Sequence, residues 1–310
     1  MADTTESCVI SAQGLTKTYD GTHVVDHLAM DVHEGDIYGF VGRNGAGKST
    51  TMKMICGLIS PSAGSLTVLG KSPAKNLGAT GVGALIEAPG ILENLDAMDN
   101  MLHKATALGV ENAKAECQKL LDLVGLGKTG SKQAKAFSLG MKQRLGIALA
   151  LVGTPKVLLL DEPFNGLDPA VTHEMRENLQ NLNKEMGITI LVSSHILDQL
   201  NRFATRFGVI NAGKMVIEFE SDRMAEMSAG QIRVSCTDMT RAKEVLHKAL
   251  PSVEIENVSD EVFKLPGGTV NIRQVSDALY SANLQVLELT QTKRDVEDFF
   301  LDLMSQTANN

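Results

Sequence analysis

The run Gly42-Arg43-Asn44-Gly45-Ala46-Gly47-Lys48-Ser49-Thr50 sets glycines, a lysine and hydroxyls in the order G-x-x-x-x-G-K-[ST]. That order suits phosphate chemistry. The glycines allow backbone N–H groups to turn inward around phosphate oxygens, and a helix opening at the end of the run adds a favourable dipole for the anion. Lys48 is expected to reach the β- and γ-phosphates of a nucleotide, and the Ser49 hydroxyl to ligate Mg²⁺. More than a hundred residues later, the apolar run Val157 to Leu160 ends in Asp161 and Glu162. A buried strand that stops in carboxylates sets them at the carboxyl edge of a parallel sheet, where such folds bind ligands. There Asp161 would hold Mg²⁺, and Glu162 would polarise an attacking water as general base.

The motif demands a strand before it and a helix after it. Ile37 to Val41 is an apolar run, and Ser49 to Leu58 has helical spacing through Met52, Ile55 and Cys56. Residues 9 to 41 read as β-rich, and residues 90 to 135 as a helical insertion with apolar steps of three and four. From Ser138, a sound helix N-cap, β/α alternation resumes: a helix to about Val152, a strand over Val157 to Leu160, a helix from Met175 to Met186 and a strand over Ile188 to Val192. Unbroken apolar strands predict a parallel sheet covered on both faces.

After Glu220 the texture changes. Short strands near Ile232 to Cys236, Val253 to Val258, Val262 to Leu265 and Val286 to Leu289 alternate with helices near Thr240 to Leu250 and Gln274 to Ala282, and a last helix is expected from Asp295. This β-α-β-β-α-β order predicts a small ferredoxin-like α+β domain over residues 221–310, behind a first domain over residues 8–220.

The wider composition narrows the function classes. With 310 residues, 43% hydrophobic and 21% charged, the chain can bury a full core and exceeds what one core usually holds. Its 29 Lys plus Arg stand against 37 Asp plus Glu, and no basic run offers phosphate-neutralising surface, so nucleic acid is not an expected partner. Four scattered cysteines, Cys8, Cys56, Cys117 and Cys236, read as reduced thiols of a cytosolic protein. The opening MADTTES predicts no signal peptide, and no segment reaches the ~20 apolar residues of a membrane span. Action at a membrane would require a partner.

Further elements carry a resemblance. Phe137-Ser138-Leu139-Gly140-Met141-Lys142-Gln143-Arg144, before the strand ending in Asp161-Glu162, resembles the signature motif of ABC ATPases. Asn165-Gly166-Leu167-Asp168 resembles their D-loop, and Ser193-Ser194-His195 their switch histidine. Tyr19 matches the aromatic residue that stacks on adenine. The resemblance covers about residues 8 to 220.

It implies a P-loop NTPase fold: a parallel-sheet core, an N-terminal antiparallel β subdomain and a helical insertion. It also implies ATP and Mg²⁺ held between two ATPase subunits, a homodimer or a pair of close paralogues. Ser138 and Gly140 of one subunit would contact the γ-phosphate held by the other, Asp168 would join that nucleotide site, and His195 would position the water.

Two departures from the family pattern stand out. Leu139 and Met141 replace the usual Gly and Gln of the signature, and Glu87 in Leu85-Ile86-Glu87-Ala88-Pro89 replaces the usual glutamine near the Mg²⁺ and the water. The Glu-Ala-Pro form and the extra C-terminal domain are most similar to exporters conferring immunity or resistance to lantibiotics and bacitracin-type peptides. Such a subunit would be peripheral on the cytoplasmic face of the membrane and would drive a separate transmembrane permease. Met98 and Met101 of the insertion, if exposed, are candidates to dock it, although core packing is the commoner fate of either methionine taken singly. The rivals are a soluble ABC-type ATPase not coupled to transport and a small-molecule kinase. The first would carry a long coiled coil or two ATPase domains, and the second would need no Ser138-x-Gly140.

Overall fold

Strands buried along their whole length are covered on both faces, and three of them organise the molecule. In a computed structural model describing residues 7–292, apart from 74–80, 202, 228–229, 252, 260 and 267–269, these are β3 (Ile37–Val41), β6 (Val157–Asp161) and β7 (Thr189–Ser194), each buried along its whole length. The chain divides into two compact units, Met1–Phe219 and Glu220–Asn310.

In the first unit, β1 (Cys8–Tyr19), β2 (Thr22–His33) and β4 (Ala63–Val68) form an antiparallel sheet in the order β2-β1-β4. The second sheet also takes in β5 (Val82–Leu85), β8 (Arg206–Asn211) and β9 (Lys214–Glu220), in the order β5-β6-β7-β3-β8-β9. Its strands from β5 through β8 are parallel, and the two-residue turn Ala212-Gly213, both residues at positive φ, folds β9 back as an antiparallel edge. A cluster containing Phe40, Met52, Ile55, Leu159 and Leu191 joins this sheet to the antiparallel one.

Helices cover the sheet. α1 (Lys48–Ile55) follows β3 directly. The insertion supplies α2 (Ala97–Leu108), capped by Asp96 and stopped by the left-handed Gly109, then α3 (Ala113–Leu123) and a 3-10 turn at Ala134–Ala136. α4 (Leu139–Leu151) is capped by the Ser138 hydroxyl and buried from Leu145 to Leu151, whereas α5 (Pro169–Met186) is amphipathic, burying Thr172, Met175, Leu179 and Leu182. A short α6 (Asp198–Asn201) leads to β8.

Sequence reading missed β4, β5, β8 and β9. In β5, Gly83 breaks the apolar pattern because a side chain there would collide with the Ala150 carbonyl, 2.0 Å from an added Cβ. Met101, a candidate for docking or for the core, is fully buried together with Ala97 and Ala105, and Met98 is partly exposed. The steps 97, 101 and 105 define the inward face of α2, so Met101 is core rather than docking surface.

The second unit opens with α7 (Ser221–Met227) and continues through β10 (Gln231–Cys236), α8 (Met239–Ala249), β11 (Glu256–Asn257), β12 (Phe263–Pro266), α9 (Ile272–Ser281) and β13 (Val286–Thr292). The sheet order is β11-β12-β10-β13, with every neighbouring pair antiparallel. That is the split βαβ arrangement of ferredoxin-like folds. The strand expected over Val253 to Val258 shortens to two residues because Val253 turns into the core outside the ladder. The helix expected from Asp295 lies outside the described residues.

Ile232, Val234, Phe263, Leu265, Val275 and Leu279 give the second unit a core of its own. A chain ending at Glu220 is therefore expected to unfold cooperatively in urea and to bind ATP as the full chain does. Loss of nucleotide binding by a well-expressed truncation would show that the second unit completes the first.

Candidate active site

Parallel pairing aligns three strand ends. Val41 of β3 stands opposite Ser194 of β7, and Ser193 stands opposite Asp161 of β6, so the residues that follow emerge along one edge.

After Val41 the chain has to pass under β8. A Cβ on Gly42 would stand 2.5 Å from the Ile210 carbonyl oxygen, and one on Gly47 2.8 Å from that of Val24. Gly47 also takes φ 106 at the N-cap of α1 and offers no side chain to the first helical N–H groups. Those donors thus remain for an anion. Arg43, Asn44 and Gly45 are exposed on the loop, Ala46 is buried, and Ser49 and Thr50 are partly exposed in the first turn of α1.

Lys48 is only 6% exposed, and its Nζ donates to the carbonyls of Gly42 (2.7 Å) and Arg43 (3.3 Å) and lies 3.3 Å from Glu162 Oε1. Glu162 takes a left-handed φ of 48, a conformation that costs a bulky residue about 1–2 kcal/mol. Ser193 holds it there. The Glu162 N–H donates to Ser193 Oγ at 2.9 Å, and that hydroxyl donates to Asp161 Oδ1 at 2.6 Å.

His195 Nδ1 lies 2.7 Å from Glu162 Oε2, which requires the proton on Nδ1, since an ionised carboxylate only accepts. Among the described residues, none donates a hydrogen bond to the buried Glu162 Oε1, which Lys48 meets only as an ion pair. A buried acceptor without a donor, beside an ammonium and above a glycine loop, suits a base waiting for a water molecule. Lys48, Glu162 and His195 therefore meet, and Ser193, which sequence reading quoted without a role, joins them.

Around this centre, Asp161 Oδ2 and the Ser49 hydroxyl are oxygen donors of the hard kind that Mg²⁺ takes together with phosphate oxygens and water. Among the described residues, no cluster of three or more His, Cys, Asp or Glu could hold a metal ion. Glu87 is 63% exposed, at φ 62, and its carboxylate is paired with Lys53 on α1. No described contact takes it to Ser49 or Asp161.

Tyr19 is 45% exposed at the end of β1, with Lys17 Nζ 5.0 Å from its ring centroid. Asp168 Oδ1 accepts from the N–H groups of Ala170 and Val171 and so caps α5. Ser138 Oγ accepts from the Met141 N–H, and a methyl added at Gly140 would meet only Leu167 and Val171, at 3.4 and 3.6 Å. No described hydrogen bond joins Ser138 or Gly140 to the loop Gly42–Thr50 of the same chain.

Residues 25–165 match the family model described as ABC transporter. The chain is 36% identical, over 96% of its own length and 98% of the relative, to the Bacitracin transport ATP-binding protein BcrA of Bacillus licheniformis. It is 40% identical to the Lantibiotic transport ATP-binding protein SrtF of Streptococcus pyogenes, over 72% of this chain and 97% of that one. Among solved structures, an ATP binding subunit of an ABC transporter is 30% identical at a TM-score of 0.62, covering 70% of this chain and 92% of that one. With its phosphate loop and paired Glu162 and His195 set at one sheet edge, the chain belongs to the ATP-binding subunits of ABC transporters.

Proposed function

We propose that this chain hydrolyses ATP as the peripheral subunit of an exporter of bacitracin- or lantibiotic-type peptides, acting as a dimer on the cytoplasmic face of the membrane to drive a separate permease. The observation that carries the catalytic reading is the buried, unsatisfied Glu162 Oε1 between Lys48 and the His195-bound Oε2. The transport names of two relatives, one matching nearly the whole chain, support the peptide class. Among the described residues, no helix is long and apolar enough to cross a membrane, so contact with the bilayer is assigned to the permease.

In the reaction, Lys48 exchanges the Gly42 and Arg43 carbonyls for β- and γ-phosphate oxygens, and the loop N–H groups take the rest. Tyr19 offers its exposed ring to the adenine. A water between Glu162 Oε1 and the γ-phosphate attacks phosphorus; its proton passes to Glu162 as the new P–O bond forms and the bond to the β-phosphate bridging oxygen breaks, releasing ADP. His195 keeps Oε2 fixed through Nδ1–H, and Nε2 donates to the γ-phosphate when the ring carries its second proton as imidazolium. Mg²⁺, held by Ser49 and Asp161, neutralises phosphate charge when bound. Ser138 and Gly140 lie apart from their own phosphate loop in hydrogen-bonding terms, and Gly140 has no tight neighbour that forbids a side chain. Both features suit contact with the triphosphate of a second copy, as does the dipole at the N-terminus of α4.

A groove of about 810 Å³ lies between α2 and the segment after β5. Asn100, His103, Lys104 and Ala107 give it one helical face, while Ile86, Ala88 and Pro89 form the other side, with exposed Leu58 and Leu92 also on its lining. This is the surface assigned to the permease. Burial holds Lys104 below the ordinary lysine value, and no described acid pairs with it, so the docked segment is expected to bring a carboxylate. Glu87 follows Ile86 and grips Lys53 on α1, which links the groove to the helix that carries Lys48 and Ser49.

Two outcomes test this reading. Glu162→Gln keeps the shape but removes the base; turnover is expected to fall about 10²-fold or more while MgATP stays bound. The variant should also elute as an ATP-dependent dimer on size-exclusion chromatography; a monomer, or near wild-type hydrolysis, would refute the assignment. At the groove, Glu87→Ala and Lys104→Glu should lower peptide export more than ATP turnover when both are measured in membranes containing the permease, and Glu87→Gln should leave isolated hydrolysis within a few-fold of wild type. Export unchanged in both variants would remove the groove from the coupling path.

A further inference from the structure

Leu139 stands where the family signature usually has glycine, yet it is 55% exposed at the first position of α4, so it contributes little to the core. Its side chain is nonetheless committed. A Cβ built on Gly166 would stand 2.8 Å from Leu139 Cδ2, which means that the leucine lies directly over the Gly166 backbone. One residue on, Leu167 Cδ2 reaches to within 3.4 Å of a Cβ built on Gly140. The N-terminus of α4 and the loop Asn165-Gly166-Leu167-Asp168 thus touch at two successive residues on each side.

That loop has little slack. At one end the Asn165 N–H donates to the Glu162 carbonyl at 3.1 Å, and the Leu167 N–H donates to that of Phe164 at 3.2 Å. At the other end the Asp168 carboxylate caps α5 with two hydrogen bonds. Gly166 itself takes φ +72, so the loop turns where a side chain is disfavoured. A displacement of Leu139 against Gly166 therefore bears on the backbone of Glu162, which is already at positive φ and held by Ser193.

We propose that Leu139 is a positioning residue that relays the state of the α4 N-terminus to Glu162. A triphosphate held by a second copy and touching Ser138 and Gly140 thereby adjusts this copy's own general base. The proposal rests on the dimer reading given above. The two nucleotide sites of a dimer then work in concert, each setting the base of the other through one leucine and one glycine. A glycine at position 139 would leave Gly166 uncovered and remove the side chain that makes the contact.

The test compares Leu139→Ala, which keeps a good helix former but no longer reaches Gly166, with Leu139→Met, which still reaches it. MgATP hydrolysis by wild type and the Met variant is expected to show a Hill coefficient above one. The Ala variant should fall to one, with kcat reduced several-fold, KM little changed and thermal unfolding unaltered. A non-cooperative wild type, or an Ala variant as cooperative as wild type, overturns the relay.

The dimer reading is checked separately. Glu162→Gln alone and together with Leu139→Ala should both form the MgATP-dependent dimer on size-exclusion chromatography. If only the double variant fails to dimerise, Leu139 is an intersubunit contact and the relay is wrong. If neither dimerises, the dimer reading fails, and the relay fails with it.

Discussion

Parallel pairing of β7 with β3 on one side and β6 on the other is the interaction on which the active site depends. Hydrogen bonds that set Val41 opposite Ser194 and Asp161 opposite Ser193 bring three strand ends level. Gly42, Glu162 and His195 then emerge side by side from segments far apart in the chain. Because side chains alternate along a strand, a slip of one residue would turn Ser193 and Asp161 to opposite faces and break the hydrogen bond between them. Complete burial of these strands enforces the register, since every alternative would strand backbone polar groups away from water.

On that frame sits a costly local arrangement. An almost fully buried ammonium, a carboxylate at positive φ and a buried oxygen without a donor are each unfavourable alone. They persist because they compensate one another: Lys48 neutralises Glu162, Ser193 holds the strained N–H, and His195 fixes the second oxygen. Strain and incomplete hydrogen bonding gather at the site proposed to receive a phosphate and a water. The first turn of α1, left without a side-chain cap, belongs to the same economy of open donors.

Short contacts tie the groove and the N-terminus of α4 to this centre. Glu87 joins the groove's rim to α1 through Lys53, and Leu139 joins α4 to the loop that starts at Glu162. Neither link is a large interface. The Glu87–Lys53 pair is well exposed and adds little stability by itself, so its interest lies in which two segments it ties together.

Much of the site was legible in the sequence because its parts are local. The phosphate loop needs only neighbouring residues to create its turns and its helix start, and Ser138 caps α4 through a backbone group three residues away. Apolar runs announced β3, β6 and β7, and acidic residues after β6 announced the edge. The tertiary structure decided the partners. It joined Glu162 to His195 across 33 residues, set Ser193 between Asp161 and Glu162, paired Glu87 with Lys53 and buried Met101. Such pairings depend on sheet order and register, which are fixed by burial of the whole core and not by any short window. The missed strands β4 and β5 follow the same rule: Gly64 and Gly83 are small because distant backbones pass within 2.3 and 2.0 Å of where their Cβ atoms would be, a fact that no local pattern records.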